Sequence, residues 1–343
     1  MKYFKIVLFL LVVFFTPVVI YSGVFPTTEA FDSSASVAEL KEVELGSLNQ
    51  WVSIRGENRS NPVLLWLHGG PGLTQMPFAH HLDSELEKEF VVVHWDQRGA
   101  GKSNPLDFDE STMSFEQFIS DSHELVRYLQ NSFNQEKIYI LGHSWGSMLG
   151  IELVNRYPED FHAYISVTQI VDVNEGLDIS YAWLKNEIEK NEDEKNIAKL
   201  QRIGKPPYNH AQYKTFASIL IDYDANIDGK KEELALIGVQ APEYNVVNYV
   251  QWLDGALRNS RPMWSSSAEF SRNYREEIPS VDIPIYFFVG KKDYTTPTVL
   301  IEDYFEKINA PKKELIVFEN SAHTPFLGET EKFNEELIKV KGE

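Results

Sequence analysis

The 343-residue sequence predicts an α/β fold, a mostly parallel sheet of eight strands with an inserted helical cap. Three observations lead there. Short apolar runs alternate with amphipathic stretches along most of the chain. One such run, Lys137-Ile138-Tyr139-Ile140-Leu141, leads straight into Gly142-His143-Ser144-Trp145-Gly146 and a helix-forming segment. Finally, residues 170–277 show helical patterns but no clear buried strand. Hydrophobic residues make up 43% of the chain, enough to fill a large core and to exclude a disordered protein.

The elements follow in order. Lys2 and Lys5 precede an uncharged stretch, residues 6–28, whose first part from Ile6 to Phe15 is continuously apolar. It reads as a single-span anchor at the cell membrane, with the lysines inside and the folded body outside the cytoplasm. Secretion after cleavage near Thr28-Glu29-Ala30 is the alternative. Residues 1–30 thus form the anchor or signal with its linker, 31–169 the first part of the core, 170–277 the cap and 278–343 the rest of the core.

Within the core, residues 39–45 and 50–55 alternate as an antiparallel pair around Gly46-Ser47-Leu48-Asn49. Residues 63–67 and 90–95 are short apolar runs suited to burial on both faces, with a helix expected over 78–88 between them. Residues 114–133 place Phe115, Phe118, Ile119, Leu125, Val126 and Leu129 on one helical face, and Ser114 with Gln117 fits a capping box. Residues 138–141, 164–167, 285–289 and 315–318 supply four more strands. In the insertion, 181–190 is helical, the acidic run 187–194 reads as a solvated face, and Gly204-Lys205-Pro206-Pro207-Tyr208 breaks the pattern.

The serine in GxSxG has a steric rationale. A strand-to-helix turn tight enough to lift its hydroxyl above the sheet leaves no room for side chains two residues either side. A serine hydroxyl needs a base, and the base an orienting acid. His323 follows the last strand in Asn320-Ser321-Ala322-His323-Thr324-Pro325, and Asp293 follows the preceding one, so both fall at the sheet's carboxyl edge in the chain order Ser144, Asp293, His323. His143 is expected to point away from the pocket, and His94 lies within a strand. His68-Gly69-Gly70-Pro71-Gly72 can turn a backbone amide toward a developing oxyanion, which makes the N–H groups of Gly70 and Trp145 the expected pair.

Other chemistries find no footing. Gly99-Ala100-Gly101-Lys102-Ser103 imitates the end of a phosphate-binding loop, but Asp96 stands where that motif requires glycine; the segment should instead close a loop beside the entrance. Neither HExxH nor a clustered histidine-carboxylate spacing appears, and there is no cysteine, so neither a metal nor another cofactor is expected. A formal charge of -19 would repel nucleic acid.

HGGPG at 68–72, DQRGAGKS at 96–103, GHSWGS at 142–147, GKKDYTTP around Asp293 and SAH ending at His323 together resemble the proline iminopeptidase family of α/β hydrolases. The resemblance spans most of the chain. It implies the α/β-hydrolase fold, Ser144 as nucleophile, His323 as base, Asp293 as its partner, and the amides of Gly70 and Trp145 as the oxyanion hole. Members of that family hold the substrate amine with cap glutamates and, in one branch, with an acid after the triad aspartate. Here Tyr294 takes that position, while Glu175, Glu243 and Glu269 are the cap candidates, and Trp183, Trp252 and Trp264 are available to line a pocket.

The expected function is therefore a serine hydrolase that works through an acyl-enzyme and releases N-terminal proline or another small residue from short peptides. A carboxylesterase, or a catalytically silent membrane-tethered binding protein, is the alternative.

Overall fold

Eight strands, β1 (Val37–Leu45), β2 (Leu48–Gly56), β3 (Val63–Leu67), β4 (Val91–Trp95), β5 (Ile138–His143), β6 (Phe161–Val167), β7 (Ile285–Gly290) and β8 (Lys313–Phe318), form one sheet. Their order in this computed structural model, which describes residues 26–259, 261 and 271–342, is β1-β2-β4-β3-β5-β6-β7-β8. Only the β1-β2 and β2-β4 pairings are antiparallel; the other five are parallel. The first hairpin is tighter than expected, because Leu45 pairs with Leu48 and only Gly46 and Ser47 turn the chain, both at positive φ.

The apolar runs are buried on both faces, as a sheet covered twice requires. Along β3, Val63, Leu65 and Leu67 enter one core, while Leu64 and Trp66 enter the other. The first core is covered by α1 (Phe115–Phe133), α2 (Trp145–Arg156) and later α8 (Thr298–Lys307); the second by α9 (Thr330–Lys341) through Phe333, Leu337 and Val340. At the start of α1 the Ser114 hydroxyl accepts from Gln117 N–H, but the Gln117 side chain turns to Asp121 instead of closing the box.

The helix expected over 78–88 is broken into Ala79–Leu82 and Leu86–Glu89. Asp83, at the break, is buried and bonds His94 Nε2 of β4 at 2.6 Å, a contact that a continuous helix would forfeit. The pairing accounts for a histidine inside a buried strand.

Among the described residues the insertion holds five α-helices of nine residues or more: α3 (Val173–Lys190), α4 (Glu194–Ile203), α5 (His210–Asp222), α6 (Lys231–Val239) and α7 (Val246–Asp254). The first begins eight residues earlier than the sequence expectation, with Asp172 as its N-cap accepting from Glu175 N–H at 2.9 Å. Leu177, Leu184, Leu200, Phe216 and Ile219 give α3, α4 and α5 a core of their own. Among the described residues no helix is long and apolar enough to cross a membrane; residues 6–25 of the expected anchor lie outside them.

Candidate active site

The β5-α2 junction presents Ser144 at φ 54°, ψ −118°, a left-handed conformation that costs a non-glycine residue energy and must be held from outside. Close packing holds it. A Cβ on Gly146 would lie 2.1 Å from the Leu67 carbonyl oxygen, and one on Gly142 would lie 2.5 Å from that of Gly146. Ser144 N–H donates to Val167 C=O of the neighbouring strand at 3.1 Å. The serine is thus locked above the carboxyl ends of β3, β5 and β6.

Asp293 leaves the end of β7 and His323 the end of β8, and the structure brings both to Ser144. His323 Nδ1 lies 2.8 Å from Asp293 Oδ2, and its Nε2 lies 2.9 Å from Ser144 Oγ. With Nδ1–H given to the carboxylate, Nε2 is left to accept the hydroxyl proton. Asp293 is buried and also accepts from Thr295 N–H, Thr296 N–H and Thr296 Oγ–H, at 2.7, 3.0 and 2.7 Å. Those bonds fix the direction of the carboxylate.

Several residues that hold this group were not anticipated. His143, expected to point away, lies behind His323 with the ring centroids 5.0 Å apart. Its Nε2 is 2.9 Å from the His323 carbonyl oxygen and its Nδ1 is 3.0 Å from Gln75 Nε2. Nε2–H therefore donates to the carbonyl and Nδ1 accepts from the amide. Burial, with the His323 ring beside it, holds the His143 imidazolium well below the usual range, so the ring stays neutral as these bonds require.

From the cap side, Asp228 accepts from Ala322 N–H and Thr324 N–H at 2.7 and 2.9 Å, bracketing His323, whose own N–H donates to Asn226 C=O at 2.8 Å. Asp228 sits in a loop after a helix with no strand to mark it, so nothing in the sequence pointed to it.

The HGGPG and DQRGAGKS segments are fastened to each other. Gln97 N–H donates to His68 Nε2 and its side-chain amide to His68 C=O, both at 3.1 Å, while its Oε1 accepts from the Trp145 indole N–H at 3.1 Å. Gln97 thereby ties the loop carrying Gly70 to the first residue of α2. Burial pushes His68 down to about 4 and keeps it neutral for these contacts. The Trp145 side chain packs edge-on against Phe115 and Phe118, away from Ser144. Residues 96–104 are buried under α7 and not at an entrance as expected, because Lys102 Nζ reaches Glu243 C=O and Asn248 Oδ1 of the cap at 3.1 and 3.3 Å.

A cavity of about 590 Å³, counting its part open to solvent, has Ser144 and Gly70 in its lining. Its wall is mainly Ile170, Val171, Val173, Leu177, Pro297 and Leu300, with Tyr213, Gln169, Thr295 and Thr296 as polar members. Asp172 is the one carboxylate among its described lining residues.

Of the cap candidates, Glu175 and Glu243 are not in its lining. Glu175 is exposed and paired with Arg275. Glu243 is buried at the α6-α7 connection, accepting from the Thr28 hydroxyl at 2.9 Å. Tyr294 stacks on Trp183 with centroids 3.8 Å apart, so both rings serve the cap core, and Trp252 packs near Met76. Glu269 and Trp264 lie outside the described residues. Asp172 had a readable signal as the N-cap of Asp172-Val173-Asn174-Glu175. Among the described residues no group of three His, Asp or Glu side chains is arranged to hold a metal.

A mostly parallel sheet with this cap and a Ser-His-Asp arrangement across three strand ends defines a hydrolase of the α/β class. The chain matches the alpha/beta hydrolase fold family over residues 62–330 and belongs to it, among the relatives named as aminopeptidases and proline iminopeptidases. It is 31% identical to the probable aminopeptidase YbaC of Bacillus subtilis over 309 residues, 89% of this chain and 96% of that protein. A proline iminopeptidase of Clostridium botulinum is 28% identical over 80% of this chain and 88% of its own length. The crystal structure of the Mycobacterium smegmatis proline iminopeptidase shares the fold, with a TM-score of 0.62 at 18% identity over 89% of this chain and 98% of that one.

Proposed function

We propose that this hydrolase is a serine aminopeptidase that removes proline or another small residue from the free amino end of short peptides. Ser144 Oγ attacks the scissile carbonyl while His323 Nε2 takes its proton, and Asp293 stabilises the imidazolium. The amides of Gly70 and Trp145 receive the oxyanion, a pair of interactions worth about 3 kcal/mol each when preorganised. His323 then protonates the leaving amine, and water, deprotonated by the same imidazole, releases the acyl group from Ser144.

The observation that carries the chemistry is the unbroken chain of contacts from Asp293 through His323 to Ser144 at a cavity open to solvent. The substrate class draws on the relatives' names, on apolar walls suited to a ring or small side chain, and on Asp172 as an acceptor for an ammonium group. Arg275 Nη2 lies 3.8 Å from Asp172 Oδ2 and shares its charge, which favours a modest contribution to binding.

Fluorophosphonate labelling tests the nucleophile: wild type takes the label and Ser144→Ala does not. No label on wild type would favour a silent binding protein. Pro-β-naphthylamide and p-nitrophenyl butyrate then separate peptidase from esterase, with cleavage of the ester alone overturning the peptidase assignment.

For location, we propose that residues 6–28 hold the body at the outer face of the cell membrane, because they carry no charge over a length able to span it and follow two lysines. Recovery of the full chain in carbonate-washed membranes is expected; release of a shortened protein to the medium would mean secretion.

A further inference from the structure

We propose that the outer face of α6 and α7 rests on the lipid surface, so that the cap, not the core, is the membrane-proximal side of the body. Leu236 and Val239 of α6, Val247, Val250 and Leu253 of α7, and Leu257 just after it are each 45–60% exposed. At 100° per residue the α7 series falls within an arc of about 120°, a stripe as wide as helices normally turn inward. The two helices are neighbours, since the Tyr249 hydroxyl of α7 donates to Gly238 C=O of α6 at 2.6 Å. An exposed apolar stripe of this width on α7, with two more exposed apolar side chains on the neighbouring α6, marks a contact site.

The occupant follows from where the chain enters. Thr27 N–H donates to Pro242 C=O at 3.1 Å, and the Thr28 hydroxyl to Glu243 Oε1 at 2.9 Å, both on the segment joining α6 to α7. Arg55 fixes the same strand of chain from the core, donating to Thr28 Oγ1 and Glu29 C=O at 2.5 and 2.6 Å and lying over the Phe31 ring. The described chain therefore enters the body at the α6-α7 connection, at the carboxyl end of the uncharged run of residues 6–28. A body whose chain enters here, just past the proposed anchor, turns this connection and the apolar helices on either side of it toward the bilayer. The net charge of -19 argues for apolar contact with neutral lipid rather than attraction to anionic headgroups.

This inference rests on the membrane attachment proposed above, and one experiment separates the two. The chain lacks cysteine, so Val250→Cys in the full-length protein carries a single environment-sensitive fluorophore, with Asn131→Cys, exposed near the end of α1, as the control. Both are reconstituted into phosphatidylcholine vesicles containing lipids brominated near the headgroup end of their acyl chains. Val250 should be quenched severalfold more than Asn131, and Val247→Cys should behave like Val250→Cys. Equal quenching in protein that stays with the vesicles would overturn the lipid-facing cap while leaving the anchor standing. A Val250 label shielded from water but not quenched would overturn it in favour of a second copy or the chain's own leader. Protein that does not sediment with vesicles would remove the attachment itself and the inference with it.

Discussion

Two buried polar clusters lie where the cap meets the core, and they share ingredients but not fates. One contains Asp293, His323 and Ser144; the other contains Asp96, Lys102, Tyr244 and Glu243. In the first, the carboxylate accepts four hydrogen bonds and the base passes its free nitrogen to a hydroxyl at a cavity. In the second, Asp96 Oδ2 accepts from Tyr244 OH at 2.5 Å and Lys102 N–H at 2.7 Å, but one oxygen of Asp96 and one of Glu243 have no hydrogen-bond partner among the described residues. Burial accordingly pushes both carboxyl groups up and Lys102 down to about 8. Acid, base and hydroxyl occur in both places. Access and completed hydrogen bonding separate a site from a fastening.

The largest test of that contrast removes the first cluster's working atoms. Ser144→Ala or Asp293→Asn should lower turnover by roughly 10⁴-fold or more with the circular dichroism spectrum and Tm nearly unchanged. Near-normal rates in either variant would move the chemistry elsewhere.

A smaller loss is expected one step back. His143→Phe keeps an aromatic ring but deletes the bond to the His323 carbonyl, and kcat should fall by about 10²-fold at similar KM, as misplacement of a catalytic group does. His143→Gln, which can still donate to that carbonyl, should recover part of the rate. If the two variants are equally slow, the hydrogen bond is not what matters at this position.

The second cluster should answer in stability. Lys102 releases its proton near pH 8 when folded and near 10.5 when unfolded, so between those values the unfolded chain binds more protons and this group's contribution to stability rises with pH. Lys102→Met removes that rise. In urea titrations the stability of wild type relative to the variant should grow by about 2 kcal/mol from near pH 7.5 to near pH 10, with little change in turnover. An identical pH dependence in the two proteins would show that Lys102 titrates as it does in water.

These residues also mark what could be read from the sequence. Strands such as Val63–Leu67 were legible because burial on both faces demands unbroken apolar runs, and GxSxG because a tight turn excludes side chains. Ser144, Asp293 and His323 were legible because chain order and strand ends fix their edge of the sheet. Asp228, Asn226 and His143 were not, since they act through backbone groups of another loop and any short polar residue would look the same in sequence. Glu175 and Glu243 stay away from the cavity for a related reason: a carboxylate's partner is settled by packing, and Arg275 and Thr28 engage them.

The bracket formed by Asn226 and Asp228 around His323 bears on how such an enzyme diverges. Exchanging the insertion wholesale to change specificity would unmoor His323 along with the pocket wall. Diversification is thereby steered toward the α3 side, where Val173 and Leu177 line the cavity without bonding to His323, and recombination breakpoints should spare the turn between α5 and α6.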